Sequence, residues 1–256
     1  MAHPLRSILL LAATLFAPIL PLPAQSIPDQ SAPAPTPHTL IERAIAFEKS
    51  DKSKTRYTYF ELDHGQNRDH KGKLFADNTK LYENIWIADL PYKRLVELNG
   101  KPLTGDDLAR EQARYDQAVA EHSGLGTEAR AKIERVHLVN ANIHLASLLT
   151  PAYTLTEFRQ ESIAGNLAHV IDCTPVSSTD PLHPTPTKHY EFWITNSGAI
   201  LRTIFDILAD EPEMLHGSHG QFDSQLIDGN LLPLHDLMHF YTPNTGANAI
   251  HFVKAA

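Results

Sequence analysis

The order in which turn signals interrupt apolar runs constrains this chain most. From residue 153 onward, short runs of apolar, β-branched and aromatic residues are separated by Gly165-Asn166, Asn196-Ser197-Gly198 and Asp228-Gly229-Asn230. Such punctuation predicts antiparallel strands at residues 153–158, 167–173, 190–195, 199–208, 220–227, 231–241 and 247–253, with a Pro-rich loop at 176–187. Earlier in the chain, strands are expected at 55–62 (TRYTYFEL), 81–88 (LYENIWIA) and 94–98, with polar turn material at 64–72 and a turn at Asn99-Gly100. Helical spacing is confined to three other segments. Behind Thr39 as N-cap, Leu40, Ile41, Ala44, Ile45 and Glu48 recur on one side of residues 39–49. Residues 108–122 come after Thr104-Gly105-Asp106-Asp107, which approximates a capping box. Behind Thr127, Ile133, Val136, Val139, Ile143 and Ala146 form a stripe that Pro151 ends. Helices set apart from the strands argue for an α+β fold and against a parallel, Rossmann-like sheet.

With 256 residues, 42% of them hydrophobic, the chain has material for one sizeable core. Its net charge of -8 and the absence of any basic run speak against nucleic acid as a partner. A single cysteine, Cys173, excludes internal disulfides, zinc ribbons, iron–sulfur cages and Cys-X-X-Cys redox chemistry. The first 24 residues read as a secretory signal peptide: Arg6, an apolar run at 8–17, then small and turn-forming residues ending at Ala24, the expected cleavage site. That run is too short to span a bilayer, and Pro18, Pro21 and Pro23 break its continuation. Export without disulfides suits a bacterial periplasm. Residues 25–38 are expected to form a disordered Pro-rich leader, and 39–256 a single domain with a helical insertion at 104–149.

Most signatures of catalytic chemistry are absent. No G-x-S-x-G elbow is present, and the stretch from Gly100 to Gly105 continues as Asp106-Asp107 where a phosphate loop needs Lys and Ser or Thr. His235-Asp236-Leu237-Met238-His239 echoes the H-E-x-x-H of zinc hydrolases, with His216 and His219 nearby in sequence. Asp in place of Glu, Pro233 and the alternation through Phe240 favour a strand whose histidines line a half-exposed sheet face. Cys173, in an apolar run, is expected in the core, and Glu42, Glu48, Asp106 and Asp107 as solvated helix charges. The aromatic set Tyr57, Tyr59, Phe60, Tyr82 and Trp86 either walls a ligand cavity or forms an ordinary sheet core. No cofactor is expected.

Four segments carry a family resemblance. The run from Phe192 through Trp193 and Gly198 to Arg202 resembles a recurrent Trp-centred hairpin of the bacterial periplasmic outer-membrane lipoprotein carriers and their lipoprotein-sorting relatives. Gly165 to Asp172 is similar to the strand before it, and Asp228-Gly229-Asn230-Leu231-Leu232-Pro233 to a later turn. Pro91 to Leu103 is similar to a segment of exported proteins in the same superfamily. The resemblance implies a curved antiparallel sheet, an unclosed β-barrel, packed against helices around a cavity that shields acyl chains from water. On that expectation Tyr57, Tyr59, Tyr82, Trp86, Trp193 and Ile143 are the candidate cavity residues.

The leading expectation is therefore a non-enzymatic periplasmic protein that binds a lipid or a lipidated protein. Two alternatives come from other classes. One is a metal-assisted hydrolase using His235 and His239 with His216 or His219. The other is an envelope scaffold whose segment 104–149 engages another component.

Overall fold

The computed structural model describes residues 34–50, 57–69, 71–130, 132, 145–212, 214–241 and 248–255, the last stretch as backbone. The expected signal peptide, most of the leader, Ile143 and most of the segment 127–149 lie outside the described residues. All elements below belong to the unit Pro35–Ala256.

Helix α1 (Pro37–Ser50) begins two residues before the expected Thr39. Thr36 is the better cap: its hydroxyl oxygen accepts the Thr39 N–H at 3.2 Å, and Pro37 takes the first helical position, where its missing N–H costs nothing. Leu40, Ile41 and Ala44 on the apolar stripe are fully buried. Helix α2 (Gly105–Gly124) also forms, but Thr104 makes no side-chain cap bond; Asp106 and Asp107 oppose the positive end of the helix dipole instead. Among the described residues no helix is long and apolar enough to cross a membrane.

Among the described residues eleven strands make one antiparallel sheet: β1 (Tyr59–Arg68), β2 (Leu74–Ile87), β3 (Leu90–Leu98), β4 (Lys101–Pro102), β5 (Tyr153–Ile163), β6 (Asn166–Pro175), β7 (Lys188–Thr195), β8 (Ile200–Ile207), β9 (His219–Ile227), β10 (Asn230–Tyr241) and β11 (Asn248–Ala255). Strands β5 to β11 meander; β11 then pairs with β1, from which β2, β3 and β4 continue outward. The edges β5 and β4 do not pair with each other, so the sheet is open. It is also bent. Tyr153 and Leu155 on β5 and Phe240 on β10 pack against one cluster around α1. In a flat sheet strands five places apart stand about 24 Å from each other, twice the width of a helix.

Local chemistry explains most hairpins. Asn99-Gly100 and Asp228-Gly229 both take positive φ at two successive positions, the two-residue turn that matches strand twist. Ala88-Asp89 and Ala164-Gly165 adopt the same conformation. The turn at Ala88-Asp89 joins β2 directly to β3, which starts four residues before the strand expected at 94–98, and Pro91 sits inside β3, where strand β4 covers only Glu97 and Leu98. The polar stretch 64–72, expected as a turn, mostly belongs to strands: β1 continues to Arg68 and β2 starts at Leu74. Backbone pairing carries this ladder, aided by cross-strand bonds from His64 (2.6 Å) and Gln66 (3.0 Å) to Asp77. Polar composition concealed it.

Both faces of β6 to β8 are buried. On one face Ile171, Cys173, Tyr190, Phe192, Ile194, Phe205 and Ile207 meet α1 together with Leu145 and Leu148. On the other, Trp193 packs with Ala168, Val170 and Leu201. Alternation along the strands and the register through β9, β10, β11 and β1 place Phe222, Asp236, Asp63 and Glu61 on the α1 face. Helix α2 lies on the opposite face, against β3: the Tyr92 hydroxyl donates to Glu111 at 3.0 Å, and Tyr92 meets Tyr115 edge-on at 5.6 Å.

Candidate functional site: an apolar cavity beneath helix α1

Between α1 and the sheet lies a cavity of about 400 Å³. Strand β7 supplies Lys188, Tyr190 and Phe192 at the period of two that sends alternate side chains to one face. Strand β8 adds Ile200, Thr203 and Phe205, β9 adds Phe222, and Met214, Leu145 and Glu48 complete the wall. The aromatic rings are ordered in two stacks, Tyr190 with Phe192 at 5.7 Å and Phe205 with Phe222 at 5.8 Å. Gly220 makes the second stack possible, because it is the cross-strand partner of Phe205 and any Cβ there would fall within the ring.

Two charged groups border this wall. Lys188 pairs with Glu211 at 3.1 Å, and the other oxygen of Glu211 accepts a short hydrogen bond from the Thr187 hydroxyl. Glu48, expected as a solvated helix charge, is half-buried; its Oε2 is enclosed and has no hydrogen-bond partner among the described residues. Burial raises its pKa above the ordinary carboxylate value. Its position was legible: Glu48 continues the stripe of Leu40, Ile41 and Ala44 by one helical turn.

The sequence-derived cavity residues occupy other places. Tyr57 and Trp86 are neighbours, the indole N–H donating to the Tyr57 carbonyl at 3.0 Å, and Trp86 remains 40% exposed. Tyr59 and Tyr82 lie on the α1 face but in its polar sector, with Asn84, Lys93 and Asp236. There Glu61, only 9% exposed, accepts from Asn84 at 3.1 Å and pairs closely with Lys93, whose ammonium sits 4.2 Å from the Tyr82 ring centroid. Trp193 is buried on the opposite face, where its N–H donates to Glu161 at 2.8 Å. None of these lines the 400 Å³ cavity. The residues that do are hydrophobic alternations on β7 to β9, which sequence reading alone assigned to strands without a face.

The polar sector carries a pH signature. Burial first, and then the charge of Glu61, push the Asp236 carboxyl up to about 6 from its ordinary 3.8. Below pH 3.8 the group is protonated in both folded and unfolded chains and has no effect on stability. As pH rises through 6, the unfolded chain ionises it more readily, so stability falls and stays lower. Asp236 is half-exposed, and solvent screening holds this penalty to about 1–2 kcal/mol. Asp236→Asn should therefore raise the urea-unfolding free energy by that amount at pH 7.5 and leave it unchanged at pH 3.5. An equal gain at both values would mean a cause other than ionisation.

The candidate ligands His216, His219, His235 and His239 do not gather into one metal site. His235 and His239 are four residues apart on a strand, not a helix, which separates them by about 13 Å, far beyond a shared metal. Both lie on the face opposite the cavity. His235 approaches Asp223 at 3.9 Å, while Asp223 is held by Arg202 at 2.6 Å. His239 meets His219 edge-on at 5.4 Å, and its pKa is lowered by burial and by that neighbour. The His216 N–H donates to Asp210 in the loop before β9. No group of three potential metal ligands occurs among the described residues. Cys173 is fully buried, with its thiol pushed up to about 12 by burial, as suits a core residue rather than a nucleophile.

No family model and no curated protein matches the sequence. Similar solved structures include a LolA superfamily protein from Nitrosomonas europaea, at 11% identity and a TM-score of 0.32 over 87% of this chain and 92% of that one. A DUF1329 family protein from Desulfovibrio piger has 10% identity and a TM-score of 0.31 over the same shares. The MucA/MucB complex of Pseudomonas aeruginosa provides a chain with 9% identity and a TM-score of 0.23, over 85% of this chain and 92% of that one. At these values the architecture rests on the strand register described above.

Proposed function

We propose that this chain is an exported, non-enzymatic binding or carrier protein that holds the apolar chain of a lipid or lipidated protein beneath α1. The supporting observation is the cavity of about 400 Å³ walled by Tyr190, Phe192, Phe205 and Phe222. Its size falls within the roughly 300–1,000 Å³ typical of small-molecule sites. Burying about eight methylenes there contributes about 6 kcal/mol, enough to hold a chain without covalent chemistry. In this reading residues 1–24 direct export to the periplasm, the Pro-rich stretch before α1 is a leader, and the open sheet is the binding body.

The experiment uses the mature chain from residue 25 and an NBD-labelled monoacylglycerol. Uptake should saturate at one equivalent, with a Kd in the range of roughly 1–10 μM. Met214→Trp, which fills the cavity from its loop side, should weaken uptake by about tenfold, worth about 1.4 kcal/mol. Absence of saturable uptake, or an unchanged Kd in the folded variant, would refute the reading.

A further inference from the structure

We propose that the cavity beneath α1 selects amphiphiles whose head group is cationic or donates a hydrogen bond, and that Glu48 is the residue that reads the head. The inference rests on the lipid-holding role of the same cavity and adds the chemical class of the occupant.

The cavity wall is apolar except for Glu48, Lys188, Thr203 and the hydroxyl of Tyr190. Lys188 is already committed to Glu211, which the Thr187 hydroxyl holds in place. Glu48 differs: its enclosed Oε2 has no partner among the described residues. A buried acceptor left unpaired costs free energy, and a ligand that supplies the donor recovers it. An ammonium, hydroxyl or amide N–H does so. A fatty-acid carboxylate brings acceptors and a like charge into a poorly screened site. Glu48 also stands in the last turn of α1, where the helix dipole adds negative potential, favouring cations and disfavouring anions. Burial weakens the ionised form of Glu48, and a cation placed beside it favours that form again.

Titration calorimetry of the mature chain with dodecylammonium, dodecanol and dodecanoate, at pH 7.5 and below their micelle concentrations, tests this. Dodecylammonium should bind tightest and dodecanoate about tenfold or more weaker. Glu48→Gln should bring those two within about threefold, while dodecanol changes little because the amide oxygen still accepts. Equal or tighter binding of dodecanoate to the wild-type chain overturns the inference and leaves the lipid-holding role standing. An unchanged ammonium preference in the folded variant overturns it as well. No binding of any of the three overturns both readings. If Glu48→Gln does not fold, the wild-type ranking decides.

Discussion

Gly198→Ala should destabilise the protein by about 4 kcal/mol and lower Tm by about 8–16 °C. Two costs add. The residue sits at φ +95°, a conformation that L side chains rarely adopt. Its missing Cβ is also where α1 passes: the new methyl would overlap the Arg43 carbonyl and lie 3.0 Å from the Ala44 N–H nitrogen. Arg43 reinforces the approach by donating to the Asn196 carbonyl at 3.1 Å. The turn at 196–198 thus seats the helix that roofs the cavity. Gly229→Ala provides the control, since it shares a positive φ of +80° but has nothing within 4 Å. It should cost only about 1 kcal/mol. Equal losses in urea unfolding would show that strain alone acts and that the close approach has no energetic weight.

Phe192→Ala should cost about 3–5 kcal/mol, the loss expected when a buried aromatic side chain leaves a void. Phe192 is 2% exposed, stacked on Tyr190 and part of the cluster that joins β7 to α1. Because one side of it faces the cavity, fewer neighbouring side chains stand ready to collapse into the gap. Phe158→Ala on the edge strand β5, where the ring is 45% exposed, should stay within about 1 kcal/mol of wild type. Urea midpoints of the two variants make the comparison. A loss below about 1 kcal/mol for Phe192→Ala would mean that the wall beneath α1 is not part of the stabilising core.

Strands whose sequences alternate or run apolar between Gly and Asn turns were legible, β6 to β10 most clearly, because their burial and turn chemistry agree. The lower part of the β1–β2 ladder was not. Its polar residues carry no burial pattern, and the backbone bonds that hold it leave no trace in composition. Ala88-Asp89 escaped for a related reason: alanine seldom marks a left-handed turn, and only the pairing of Ile87 with Leu90 reveals it. Tyr57, Tyr59, Tyr82 and Trp86 were recognised as a group. Register then assigned Tyr59 and Tyr82 to a polar sector around Glu61, apart from the cavity.

Which segments become helix or strand, the segregation of the two, and the burial of Cys173 are set by side-chain periodicity and turn residues, information local to the chain. Which face of each strand looks inward, and so which aromatic rings meet, depends on inter-strand register over eleven strands, where one residue of slip exchanges the two faces. Trp193 and Phe192 are adjacent in sequence yet serve opposite sides of the sheet. Glu48 lies on an apolar stripe in the sequence. Only the packed chain encloses its carboxylate oxygen, because solvent exclusion depends on neighbours distant in the sequence.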